Sequence, residues 1–141
     1  MLEPAPILLP VIGLVIWTLV MQGWMVVTRV PAISAAKLGP EAGQRTAELA
    51  AMLPKEVQWK ADNYNHLMEQ PTIFYAVALA LAIAGMGDGL NMMLAWFYLG
   101  SRVVHSFVQS TTNNVTIRFS LFLLGTIAVL AMAINGVISL L

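Results

Sequence analysis

Long apolar runs alternate with short polar segments along this 141-residue chain. The runs lack the strict alternation of a half-buried strand, and about twenty apolar residues in a helix cross the roughly 30 Å core of a bilayer. The pattern therefore predicts an all-α membrane protein, a four-transmembrane-helix bundle that forms one domain over 1–141. The predicted spans cover about 7–30, 63–84, 90–108 and 115–140.

The segment 31–60 is the longest break in the apolar pattern, and it is predicted to be one loop with a short helix at about 42–53. Pro31 is expected to end the first span, because proline disrupts a helix interior. Pro71 lies inside the helix that forms the second span. It removes one backbone donor there, so a kink is expected just beyond Glu69.

Composition supports the membrane assignment and excludes several functions. Hydrophobic residues make up 59% of the chain and charged residues only 10%, whereas about a quarter of the residues in soluble proteins are charged. The formal net charge is zero, so no global field favours nucleic acid as a partner. Cysteine is absent, which excludes disulfides, thiolate metal sites and a cysteine nucleophile.

The basic residues predict the orientation of the bundle, because loops rich in Lys and Arg stay in the cytoplasm. All seven fall on one side: Arg29, Lys37, Arg45, Lys55, Lys60, Arg102 and Arg118. The first and third loops are therefore predicted to be cytoplasmic, and both termini to lie on the non-cytoplasmic side. Arg29, close to the end of the first span, is most simply an anchor whose side chain snorkels to the interface.

Polar side chains follow helical intervals of three and four residues at the start of the second span, which gathers them on one face. They are Asp62, Asn65, His66 and Glu69. The third span has a polar face of its own, with Arg102, His105 and Gln109 at i, i+3 and i+7. On the last span, Arg118 comes one turn after Asn114, which is a plausible N-cap.

Energetics indicates that these polar faces meet. A charged side chain at a helix centre costs about 2.5–3.5 kcal/mol on insertion scales, so the carboxylate and the two arginines should avoid lipid. The expected cavity is lined by Asn65, Glu69, Arg102, His105, Asn114 and Arg118. With two arginines and one carboxylate, it favours an anionic ligand.

The simpler alternative is a purely structural salt bridge between Glu69 and Arg102 or Arg118. A metal site is not expected, because two histidines beside arginines make a poor set of ligands.

These residues resemble the MAPEG family, the membrane-associated proteins of eicosanoid and glutathione metabolism. The resemblance covers nearly the whole chain, with four spans, a long first loop and an Asn/Glu/Pro pattern at the start of the second helix. The segment Gly100-Ser-Arg-Val-Val-His105, followed by Arg118, is also similar. The spacing of these residues from Glu69 resembles the prostaglandin E synthase branch of the family.

The resemblance implies a homotrimer that binds glutathione at its subunit interfaces. The residues implied in glutathione binding are Arg29, Asn65, Glu69, Arg102, His105 and Asn114. Arg118 matches the family arginine that is held to favour the thiolate, and it is the candidate catalytic residue. That role is physically sound, because a nearby cation lowers the pKa of a thiol.

Three functions remain open. The first is a glutathione-dependent transferase or peroxidase that acts on lipophilic electrophiles from the bilayer. The second is a binding protein for another amphiphilic anion, and the third is a non-catalytic membrane subunit. The third gains support from departures at Asp62, near which the family has an arginine, and at Gln109, where the eicosanoid enzymes have a tyrosine.

Overall fold

The computed structural model describes residues 3–141, and this part of the chain contains helices and no β-strand. The helices are α1 (Leu8–Ala35), α2 (Thr46–Met52), α3 (Lys55–Glu69), α4 (Pro71–Ile83), α5 (Gly89–Thr111) and α6 (Val115–Leu140). A short 3₁₀ helix covers Pro40–Gly43. The prediction of an all-α protein is confirmed.

Three helical stretches in the described residues are long and apolar enough to cross a membrane. They are Leu8–Ala35, Lys55–Ile83, which comprises α3 and α4, and Val115–Leu140. Four spans were predicted, and three of them coincide with these candidate stretches. Helix α5 has 23 residues, enough for a span by length, but it is more polar than α1 and α6. Its polar residues, Arg102 and His105 among them, are buried inside the bundle.

The two proline predictions had different outcomes. Pro31 lies inside α1, which continues to Ala35, so the prediction that it ends the helix was wrong and the loop covers 36–54. A helix tolerates proline where local adjustment satisfies the freed backbone groups, and Pro31 is exposed near the helix end. Beyond Glu69 the helix is interrupted, because α3 ends there and α4 begins at Pro71, while the kink itself stays a prediction.

The bundle has two ends that differ in character. We call the end with residues 36–54 and the turn at 112–114 the loop end, and the end with the turn at 84–88 the terminal end. Helix α5 packs most extensively against α6, and α1 packs most extensively against α3. The apolar core between them includes Leu14, Met21, Phe74, Tyr98 and Met132.

A glycine allows α6 to approach the polar face of α5. A Cβ atom built at Gly125 would lie 3.1 Å from Arg102 Nη2 and 3.1 Å from Ser101 Oγ. The same atom built at Gly100, which is also inside a helix, would meet no other atom within 4 Å. Of these two glycines, only Gly125 is therefore required by packing between helices.

We expect Gly125→Val to destabilise the protein by about 1–3 kcal/mol, the usual cost of overpacking a core. The added methyl groups would displace the Arg102 side chain. Thermal unfolding in detergent measures the effect, and Gly100→Val is the matched control because its site is open. Equal melting temperatures for the two variants would contradict this account of the contact between α5 and α6.

Candidate functional site

Arg102 of α5 lies wholly inside the bundle, with 0% of its surface exposed. Its Nη1 donates to Gln70 Oε1 at 3.2 Å and lies 3.0 Å from His66 Nε2. Its Nη2 donates to the carbonyl oxygen of Leu121 at 3.1 Å. One guanidinium thus joins α5 to α3, to α6 and to the junction between α3 and α4.

Gln70, between α3 and α4, holds this guanidinium in place. Its Oε1 accepts hydrogen bonds from Arg102 and from the hydroxyl of Tyr98, while its Nε2 lies 3.4 Å from Thr126 Oγ1. The Arg102 guanidinium also lies 5.4 Å from the centre of the Tyr98 ring. Gln70 was not among the site residues predicted from the sequence. The available signal was its position four residues after His66, on the same helical face.

The salt bridge considered from sequence, between Glu69 and Arg102 or Arg118, is not formed within the protomer. Glu69 is exposed, and the ion pair found in residues 3–141 is a surface contact between Arg45 and Glu48 at 3.6 Å. The reason is helical geometry, because consecutive residues are turned by about 100° around the axis. Gln70 faces α5, so Glu69 points away from it.

The two histidines of the chain lie side by side next to this network. The His66 and His105 rings stack with centres 4.7 Å apart and planes 22° apart. They line a pocket of about 170 Å³ together with Gln109, Val115, Arg118, Phe119 and Phe122. Within the described residues, Gln109 Oε1 and Arg118 Nε have no hydrogen-bond partner. The pocket, hereafter the histidine pocket, thus offers a cation, a free acceptor and an aromatic wall.

Arg118 is positioned by the turn before α6. Its Nη1 donates to Asn113 Oδ1, and Asn113 adopts a positive φ of 52°. Asn114 Oδ1 accepts a hydrogen bond from the Ile117 amide at 3.1 Å, so the predicted N-cap is confirmed. The Asn114 oxygen is therefore engaged in capping, and its contact with glutathione stays a prediction.

Arg29 and Asn65 lie in a different pocket, hereafter the arginine pocket. It has a volume of about 360 Å³, and its lining includes Asp62 of α3 and Thr46 of α2. Asn65 and His66 are consecutive and point to different sides of α3. Within one protomer, the single cavity expected from sequence is therefore divided into two pockets, with Arg102 buried and Glu69 exposed.

Comparison with protein families agrees with the resemblance noted in the sequence. The family model described as the MAPEG family matches residues 7–138, nearly the whole chain. This chain belongs to the MAPEG family. Family membership and the apolar helices together make it a membrane protein. Comparison with curated proteins and with solved structures gave no significant match.

We expect Asn114→Ala to cost about 0.5–2 kcal/mol of stability, the usual cost of losing an N-cap side chain. Asn114→Asp keeps an oxygen that can accept from the Ile117 amide and should unfold close to wild type. Chemical unfolding in mixed micelles, combined with hydrogen exchange at the Ile117 amide, measures both variants. An alanine variant with wild-type stability and unchanged exchange would show that the cap contributes nothing.

Proposed function

We propose that this MAPEG protein is a glutathione-dependent transferase or peroxidase that acts on lipophilic electrophiles dissolved in the bilayer. The observation that carries the proposal is the histidine pocket, where Arg118 Nε and Gln109 Oε1 have no partner in the described residues. The histidine pocket lies at the loop end, where a water-soluble thiol can react with a substrate dissolved in the membrane.

In this proposal α5 is the fourth span. Helices α4 and α6 belong to stretches that can cross a membrane, and α5 joins them through the short turns at 84–88 and 112–114. Turns this short keep α5 beside α4 and α6, and its buried polar side chains do not face lipid. The one-sided basic residues support an orientation with the loop end in the cytoplasm and both termini outside it.

Each residue of the histidine pocket has a role in the proposed chemistry. Bound glutathione supplies a thiol that is reactive as the thiolate. Arg118 stabilises that negative charge, because a guanidinium stays protonated at every accessible pH. His105 orients the ligand or accepts its proton, and the aromatic wall of Phe119 and Phe122 receives the apolar substrate.

The size of the histidine pocket limits what it can hold. At about 170 Å³, it is smaller than the roughly 300–1,000 Å³ of typical ligand pockets. It fits the thiol end of the peptide and not the whole tripeptide. The polar groups of Arg29 and Asn65 suit the remainder, but α3 separates them from the histidine pocket in one protomer.

We therefore propose a homotrimer in which the arginine pocket of one subunit lies beside the histidine pocket of the next. A polar stripe on the outer face of α3 and α4 supports this assembly. Its members are exposed and spaced by three or four residues: Asp62, Asn65, Glu69 and Thr72. Contact between subunits removes this stripe from lipid, where a charged residue is costly.

The alternative is a non-catalytic membrane subunit, or a binding protein for another amphiphilic anion. The specific observation in its favour is that Arg102 is fully buried and bound by His66, Gln70 and the Leu121 carbonyl. Such an arginine serves the scaffold, whether or not glutathione binds.

Arg118→Ala should leave less bound thiolate at neutral pH, because the variant lacks the fixed cation. The measurements are the ultraviolet absorbance of the thiolate in the glutathione complex and turnover of a chlorodinitrobenzene. His105→Ala should mainly weaken binding. Arg45→Ala, which removes an exposed arginine from the loop end, is the matched control and should behave as wild type.

Two results would count against this assignment of roles. If Arg118→Ala binds glutathione and ionises its thiol normally, Arg118 does not stabilise the thiolate. If wild-type protein binds no glutathione, the alternative function replaces the proposed one.

The assembly gives a separate prediction. Native mass spectrometry in mild detergent should show a species of three copies. Because the chain has no cysteine, the double variant Asp62→Cys with Phe119→Cys has one thiol beside the arginine pocket and one beside the histidine pocket. The two thiols should form disulfides between neighbouring subunits, because different faces meet in a cyclic trimer. Ile138→Cys, at an exposed apolar position of α6, is the control and should stay reduced. A stable monomer would refute the shared site.

A further inference from the structure

We propose that Gln70 is a positioning residue that clamps Arg102 against His66 and so determines which nitrogen of the His66 ring carries the proton. This role of Gln70 belongs to the same site as the proposed function. Only the prediction about glutathione binding rests on that function. Gln70 does not line the histidine pocket, so it acts there through Arg102 and His66.

The protonation of the His66 ring follows from its contact with Arg102. A guanidinium has only hydrogen-bond donors, so the Nε2 atom that lies 3.0 Å from Arg102 Nη1 must be the acceptor. An accepting ring nitrogen carries no proton. The ring is therefore neutral, with its proton on Nδ1.

The neighbours of Gln70 fix the orientation of its side-chain amide. Its Oε1 faces Arg102 Nη1 and the Tyr98 hydroxyl, and the arginine can only donate. If the amide were flipped, its NH₂ group would oppose the donors of Arg102. The chemistry of its neighbours thus selects the orientation, which places Nε2 toward Thr126 Oγ1.

The Arg102 guanidinium is bound by uncharged groups. The contacts of the Arg102 guanidinium are with a neutral imidazole, a carboxamide, a phenol ring and a backbone carbonyl. These uncharged groups stabilise the guanidinium by hydrogen bonds and leave its net positive charge unchanged. The histidine pocket is therefore influenced by two cations, the buried Arg102 and Arg118 in its wall. A carboxylate at position 70 would keep the clamp but neutralise one cation.

The two histidine rings connect Gln70 and Arg102 to the histidine pocket. The His66 ring stacks on His105 with centres 4.7 Å apart, and both rings line the histidine pocket. A fixed His66 ring therefore gives His105 a fixed neighbour. Loss of the clamp would allow both rings to change tautomer and orientation.

Nuclear magnetic resonance of protein with ¹⁵N-labelled histidine rings tests the clamp directly, in nanodiscs and without ligand. The chain has two histidines, so a His105→Gln spectrum assigns both. Wild type should show His66 with a proton on Nδ1 and none on Nε2. Gln70→Leu should give a mixture of tautomers, whereas Gln70→Glu should keep the wild-type tautomer. Gln58→Leu removes an amide from α3 that is not a partner of Arg102, and it should leave the His66 signals unchanged.

Glutathione titration tests the role of the uncancelled charge. Gln70→Glu should bind glutathione about tenfold more weakly than wild type, equivalent to about 1.4 kcal/mol, although its His66 tautomer is unchanged. Equal affinity of the two proteins would overturn the claim about charge. A wild-type His66 with its proton on Nε2, or a Gln70→Leu protein with the wild-type tautomer, would overturn the clamp. If the tautomers are as expected and wild type binds no glutathione, the proposed function fails and the clamp stands.

Discussion

The arrangement of this protein depends on a cation buried without a carboxylate. Arg102 has no exposed surface, and a buried charged side chain is costly unless neighbouring groups satisfy it. Here an imidazole, a carboxamide and a backbone carbonyl bind its two terminal nitrogens, and its Nε has no hydrogen-bond partner within residues 3–141. Since these groups come from α3, from its junction with α4 and from α6, the helices must keep their relative positions for the charge to remain bound.

The junction between α3 and α4 helps to satisfy the buried charge of Arg102. Gln70 stands between the two helices, directly before Pro71, and its side chain meets both Arg102 and Tyr98. The interruption of the helix therefore coincides with its main polar contact to α5. On the other side of Arg102, Gly125 allows α6 to approach closely enough for its backbone to take part.

The division into two pockets connects the fold to the proposed function. Arg118 and His105 belong to the histidine pocket, and Arg29 and Asn65 belong to the arginine pocket. A tripeptide is too large for the first pocket alone, and α3 blocks the route to the second within one protomer. In the proposed trimer, assembly completes the binding site and covers the exposed carboxylate of Glu69.

The sequence alone determined the helical class, the family and most helix boundaries, because these depend on local apolar patterns, prolines and caps. The break beyond Glu69 and the N-cap at Asn114 follow from one or two residues each. Which polar residues meet was decided by the tertiary structure. Glu69 and Gln70 are neighbours in sequence, and only the rotation of α3 against α5 makes the amide, and not the carboxylate, the partner of Arg102. Such a rotation depends on packing along whole helices, which no short pattern encodes.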